Sequence, residues 1–203
     1  MTSHAGNTSR YSIEEYLRLE AEAVEKHEYR DGEIVAMAGG SFEHSLIIAN
    51  LIGEVRNRLK GGPCRVFESN LRVRLARSTL YTYPDVSVIC GEPQFAPEDR
   101  NRTTVVNPRV VIEVLSPATE AYDRGEKFRR YLMLESLQEY VLLSQHTPLM
   151  ETYFRGGEGT WLFTPAAGLD AGGKLRSLDI ELPLAEVYAG VQFPPEPELT
   201  GLI

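Results

Sequence analysis

Asp85 and Glu113 are carboxylates set within apolar stretches, Tyr83-Pro84-Asp85-Val86-Ser87-Val88-Ile89-Cys90 and Arg109-Val110-Val111-Ile112-Glu113-Val114-Leu115. An ionised acid in such surroundings is costly unless it is paired or holds a cation. If the two stretches form strands whose ends meet, the carboxylates make a site for a hard, oxygen-seeking cation such as Mg²⁺. Such an ion lowers the pKa of bound water and stabilises charge on a phosphate undergoing displacement. Lys127 adds a fixed cation able to orient water and offset developing negative charge. The chain has seventeen arginines and only four lysines, at 26, 60, 127 and 174, so a lysine at this place stands out. Each group also has an ordinary alternative. Asp85 can cap a turn after Pro84, and Lys127 can pair with Asp123 at i, i+4 on a solvated helix, a contact of about 0.2–0.5 kcal/mol. Glu113, between Ile112 and Val114, is the hardest to explain without a functional partner.

The elements that must position these groups follow from periodicity. Ser12 and Glu15 form a capping-box pattern opening a helix through about Val24, with Ile13, Tyr16, Leu17 and Ala21 on its apolar side. The segments 27–30 and 33–37 flank Asp31-Gly32, a hairpin signature. Ser41 reads as the N-cap of a second helix carrying Ile48, Leu51, Ile52, Val55 and Leu59, stopped by Gly61-Gly62-Pro63. Segments 64–67 and 71–75 alternate like strands with one wet face, whereas 83–90 and 109–115 read as central strands separated by a polar loop at 91–107. A helix is expected from about 119 to 137, with Asp123, Lys127 and Tyr131 along one stripe, then a strand at 139–144. Further β segments are expected near 150–155, 160–164 and 175–182, with a flexible Gly/Ala loop between Ala166 and Gly173 and a short helix beginning at Pro183. Gly168 to Lys174 spells part of a P-loop, but Leu175 stands where the magnesium-binding hydroxyl should be and the flanks are strand-like, so a hairpin loop is the better reading. The class is α/β (α+β), a mixed β-sheet flanked by helices with C-terminal β-hairpins. It occupies one domain over residues 11–193, between a polar tail at 1–10 and a C-terminal tail at 194–203.

Composition bounds the partners. A chain of 203 residues, 42% hydrophobic and 25% charged, builds one globular core. The net charge of −8 excludes a protein that coats nucleic acid non-specifically. The charge is uneven, however: residues 55–78 carry seven basic side chains and one acidic one. Within that segment Arg72 and Arg74 project to the same side of one strand and, with Arg65, make a reasonable phosphate-contacting patch. The group also includes Arg56, Arg58, Lys60 and Arg77. Cys64 and Cys90 lack the spacing of a zinc cluster and read as buried or free thiols in a reducing compartment. No signal-peptide-like run opens the chain and no eighteen-residue apolar run occurs, so a cytoplasmic location without membrane association is expected.

Pro84-Asp85, a strand ending in Glu113-Val114-Leu115-Ser116-Pro117, and Asp123, Lys127 and Tyr131 in the order Asp-x3-Lys-x3-Tyr together resemble the Uma-two family of restriction endonucleases, within the PD-(D/E)XK nuclease superfamily. Glu28, Asp31-Gly32-Glu33, Met37, His44 and Glu139-Tyr140 extend the match, which covers roughly residues 11 to 190. The resemblance implies a restriction-endonuclease-like core acting on DNA, with Mg²⁺ or Mn²⁺ held by Asp85, Glu113 and the Val114 carbonyl. It implies Lys127 as the catalytic lysine, His44, Glu28, Asp123 and Tyr131 at the edge of the site, and a homodimer. The superfamily pattern puts the lysine two residues after the glutamate; Leu115 stands there, and Lys127 on the next helix takes its place. Ser144 is a second departure, where relatives commonly carry aspartate. The expected activity is metal-dependent endonucleolytic hydrolysis of DNA. The rival expectation is a catalytically inactive nucleic-acid-binding or dimeric scaffold that keeps the nuclease fold.

Overall fold

A capping box opens the first helix: Ser12 Oγ accepts the Glu15 N–H while the Glu15 carboxylate accepts the Ser12 N–H, fixing the start of α1 (Ile13–Glu22). The computed structural model describes residues 10–37, 39–75 and 79–194. Apart from residues 10 and 194, the expected tails lie outside the described residues, as does Arg77.

Strands β1 (His27–Arg30) and β2 (Glu33–Ala36) pair across Asp31-Gly32, whose φ angles of 50° and 101° match the twist that tight hairpins need. They join β4 (Arg72–Leu75), β5 (Leu80–Thr82) and β7 (Thr104–Val105) in a five-stranded sheet of order β2-β1-β5-β4-β7. The sequence pattern showed neither β5 nor β7. With three and two residues, they are too short for a period, and their pairing partners alone define them. β7 falls inside the segment expected to be loop.

The second sheet contains β3 (Cys64–Glu68), β6 (Val86–Cys90), β8 (Val110–Leu115), β9 (Glu139–Ser144), β10 (Leu149–Arg155) and β11 (Trp161–Ala167), in the order β11-β10-β9-β8-β6-β3. β8 and β9 are parallel, and the remaining pairings in this sheet are antiparallel. Every residue of β8 is buried, as a strand covered on both faces requires. Val110, Ile112 and Val114 face a core formed with Ile47, Leu51 and Val55 of α2 (Phe42–Arg58) and with α5 (Leu184–Val187). Val111 and Leu115 face the other core, with Val73, Leu75 and Leu80 of the five-stranded sheet and Tyr131, Leu134 and Leu137. By strand alternation Glu113 lies on this second face.

The crossover from β8 to β9 is one interrupted helix: α3 (Glu120–Tyr122), a π-helical turn at Asp123–Lys127, and α4 (Phe128–Leu132). It ends short of residue 137, yet Leu134 and Leu137 still pack into the core from the turns that follow. The expected flexible loop at 166–173 is shortened to residues 168–171, because strands take both of its ends. Ala166 and Ala167 belong to β11, while Gly172 and Gly173 open β12 (Gly172–Leu175), which pairs with β13 (Ile180–Pro183). Gly173 is there for packing, since a Cβ would meet Met150 Sδ at 2.1 Å. Among the described residues no helix is long and apolar enough to cross a membrane.

The free thiols expected from the sequence are instead joined. Cys64 and Cys90 stand directly opposite in the β3–β6 register, their Cα atoms 3.9 Å apart, and form a disulfide. Register is a tertiary property, so the two positions carry no local signal of their pairing. Replacing both cysteines with serine is expected to lower unfolding free energy by about 2–4 kcal/mol, and unfolding the wild type with and without reductant should show the same difference.

Candidate active site

The carboxylates meet because β6 and β8 run antiparallel with Val86 opposite Ile112. Asp85 Oδ2 accepts the Val114 N–H at 2.8 Å and Glu113 Oε2 accepts the Asp85 N–H at 3.3 Å, so each acid is held by the backbone beside the other. The crossover helix brings Lys127 over them. Its Nζ lies 2.8 Å from Glu113 Oε1, 3.2 Å from Asp123 Oδ1 and 3.7 Å from Glu28 Oε1. The i, i+4 contact with Asp123 is therefore real, but it is made in the core and on the π turn, an irregularity frequent at functional sites. The Tyr140 hydroxyl donates to the Asp123 carbonyl at 3.0 Å, anchoring that turn to β9.

Other elements close the site. His44, in the first turn of α2, places Nε2 3.3 Å from Asp85 Oδ2, and its backbone N–H is capped by Ser41. Gly40 makes room for the ring, because a Cβ there would meet His44 Nδ1 at 2.5 Å. Glu28, from β1, is bound by Thr82 Oγ1, the Arg30 guanidinium and Lys127. Tyr131 packs against Tyr140 with ring centroids 5.3 Å apart, and its buried hydroxyl has no hydrogen-bond partner among the described residues. Asp85, Glu113, Asp123, Lys127, His44 and Glu28 line a cavity of about 310 Å³ together with Arg30, Tyr83, Thr119 and Tyr122. Thus Asp85, Glu113, Lys127, His44, Glu28, Asp123 and the Val114 backbone converge, with Tyr131 behind them in the core.

Burial, opposed by Lys127 but reinforced by Asp123 and Asp85, pushes the Glu113 carboxyl well above the ordinary range. Burial works against the Lys127 ammonium, but Glu113, Glu28 and Asp123 outweigh it and hold the lysine charged. For Glu28, burial is likewise outweighed by Lys127, Thr82 and Arg30, so its carboxyl stays below the usual value. Burial lowers the His44 imidazole, and its contact with Asp85 more than reverses this.

Four carboxylates, Glu28, Asp85, Glu113 and Asp123, thus face two permanent cations, Arg30 and Lys127. With all four ionised the arrangement is short of positive charge, and without a cation the raised Glu113 carboxyl and the raised His44 imidazole offset the deficit. Among the described residues no three His, Cys, Asp or Glu side chains form a ready-made metal cage. The donor set of Asp85 and Glu113 with a neighbouring backbone carbonyl suits instead a magnesium-like ion, which is commonly held by one or two carboxylates and keeps several waters.

The structure corrects the basic strip at Arg72. Arg72 is buried, with Nε 2.7 Å from Thr104 Oγ1 and Nη2 3.4 Å from Asp99 Oδ2, so it is a core cation rather than a phosphate contact. Arg74 does share its side of β4 but pairs with Glu98 at 2.9 Å, and exposed Arg65 donates to the Gly62 and Cys64 carbonyls on the far edge strand. Ser144 lies outside the cavity, capping the turn to His146 and Thr147. Arg30 and Tyr122 were missed; a signal existed for Arg30, which shares a strand face with Glu28 by the period of two.

This arrangement, a carboxylate pair on adjacent strands of a mixed sheet with a lysine from the crossover helix, is that of a restriction-endonuclease-like fold. The fold is shared with a solved structure from Anabaena variabilis ATCC 29413 described as "a putative nuclease belonging to DUF820", at a TM-score of 0.67 and 19% identity, covering 85% of this chain and 96% of that one. Residues 13–185 match the Uma2 family, described as "Putative restriction endonuclease", and the chain belongs to that family. Two relatives from Synechocystis sp. (strain ATCC 27184 / PCC 6803 / Kazusa) are similar along most of their length. The uncharacterized protein slr1290 is 41% identical over 183 residues, covering 90% of this chain and 93% of the relative. The uncharacterized protein sll1609 is 37% identical over 157 residues, covering 77% and 88%.

The charge imbalance gives an asymmetric expectation. Lys127→Met leaves three buried carboxylates around an apolar side chain and should destabilise the fold by about 3–5 kcal/mol. Glu113→Gln removes one surplus negative charge and should cost far less. Because the Glu113 carboxyl titrates above its unfolded value, the metal-free wild type should lose stability as pH rises through that elevated value. Glu113→Gln should flatten that loss, and denaturant titrations across pH measure both effects.

Proposed function

We propose that the protein is a metal-dependent endonuclease that hydrolyses phosphodiester bonds in DNA. The observation that carries this reading is the excess of buried carboxylate over fixed positive charge in one cavity, with Asp85 and Glu113 locked side by side and Lys127 against Glu113. Asp85, Glu113 and the Val114 carbonyl would hold Mg²⁺ or Mn²⁺. Such an ion, when bound, lowers the pKa of a water and neutralises charge on a phosphate. The chain's own groups do the rest. Lys127, kept charged by its three acids, supplies a fixed positive charge beside the reacting phosphate, where negative charge grows as water adds to phosphorus and the ester oxygen departs. Asp123 and Glu28 hold that ammonium from two further sides, so it needs little reorganisation during the reaction. His44, through Asp85, orients a carboxylate and is placed to pass protons at the mouth of the site. A homodimer, each copy cutting one strand, accords with cleavage of duplex DNA.

Purified protein incubated with plasmid and linear DNA should cleave in the presence of Mg²⁺ or Mn²⁺ and not with chelator. Glu113→Gln and Lys127→Met should each reduce the rate by at least about a hundredfold while circular dichroism still reports a folded chain. Mg²⁺ should raise the melting temperature of the wild type and not of Glu113→Gln. Undiminished cleavage by both variants overturns the assignment. DNA binding that is indifferent to both substitutions, with no cleavage under any divalent ion, identifies a non-catalytic scaffold instead.

A further inference from the structure

Besides Lys127, the cavity has one other permanent cation, Arg30, and the two are placed for different tasks. Lys127 is 6% exposed and already committed to three carboxylates; the Arg30 side chain is 30% exposed at the end of β1. Its guanidinium is fixed on two sides. Nε and Nη2 donate to Glu28 Oε2, and the guanidinium carbon lies 3.8 Å from the centroid of the Tyr122 ring. Nη1 has no protein partner among the described residues. A planar cation held on an aromatic face with an open edge is preorganised for a phosphate, because little conformational entropy is left to lose on contact.

We infer that Arg30 docks a backbone phosphate next to the one being cleaved, with Tyr122 fixing the plane of its guanidinium; this rests on the nuclease reading. It makes Arg30 a substrate-binding residue and separates the two cations of the cavity. Lys127 acts on the reacting phosphate, and Arg30 sets where the strand lies. Arg72 and Arg74 do not line this cavity, whereas Arg30 does, so beside the reacting phosphate the grip on the strand comes from β1 rather than β4.

The test combines kinetics and binding on a fluorescent DNA oligonucleotide. Arg30→Gln should raise KM about tenfold with kcat within about twofold, whereas a residue acting only by propping Glu28 and Lys127 would lower kcat and leave KM alone. Binding to the Glu113→Gln protein should lose about 0.7–0.9 from its log K against log salt slope when Arg30→Gln is added, the mark of one lost phosphate contact. Arg30→Lys, which keeps the charge for Glu28, should restore the slope but only part of the KM. Tyr122→Leu should raise KM and keep the slope. Cleavage by Arg30→Gln with wild-type KM and wild-type salt slope overturns this inference and leaves the nuclease reading standing, as does a fall in kcat alone. A wild-type protein that neither binds nor cleaves the oligonucleotide overturns both.

Discussion

Lys127 is the constraint around which the molecule is built. An ammonium that is 6% exposed is tolerated only because Glu113, Asp123 and Glu28 surround it, and each comes from a different place: the central strand, the helix itself and the smaller sheet. Three elements must therefore arrive in register before the charge is satisfied. Asp123 and Lys127, four residues apart, share the inward face of the crossover, and the π turn lies across this stretch. The Tyr140 bond to the Asp123 carbonyl fixes the turn against β9. Buried ion pairs rarely increase stability over an apolar equivalent. Their persistence here is best understood as the cost of keeping a reactive cation next to a carboxylate pair.

Much of this was legible in the chain. The capping box at Ser12 and Glu15, the Asp31-Gly32 hairpin and the Ser41 cap are local rules, and the structure follows them. Glu113 in an apolar strand and Lys127 among so few lysines announced a site because each breaks a pattern. What stayed hidden was set by pairing across distance. β5 and β7 are strands only because β1 and β4 lie beside them, and Cys64 meets Cys90 only in the β3–β6 register. The same limit misdirected the reading of the arginines. Alternation correctly puts Arg72 and Arg74 on one side of β4, but a strand pattern cannot say that the loop carrying Glu98 and Asp99 folds back to neutralise them.

The arginines also recast the meaning of the acidic net charge. A chain of net charge −8 repels nucleic acid at long range, and a basic strip would have offered a simple answer. With Arg72 and Arg74 internally paired, that part of the strip is spent on structure. On the proposed reading, recognition concentrates in the cavity, where Arg30 stacks on Tyr122 and Lys127 lies deeper. A protein arranged this way gains little from sliding on phosphate and depends on the fit of a short stretch of backbone at one point.

The surplus of carboxylate that invites a cation also repels a phosphate. With Glu28, Asp85, Glu113 and Asp123 facing Arg30 and Lys127, a phosphodiester entering the cavity meets a field of its own sign, in a poorly solvated space where such a field is weakly screened. Entry and chemistry are therefore linked through the same charges. If the proposed function holds, any change that lowers the negative charge of the cavity favours docking of the strand, whether by supplying a cation or by neutralising a carboxylate, but only one that keeps Asp85, Glu113 and Lys127 in place would preserve cleavage. Substrate affinity and turnover should accordingly part company at Glu113. Glu113→Gln would keep this position neutral as a phosphate approaches while removing the carboxylate that would hold a cation on the proposed reading.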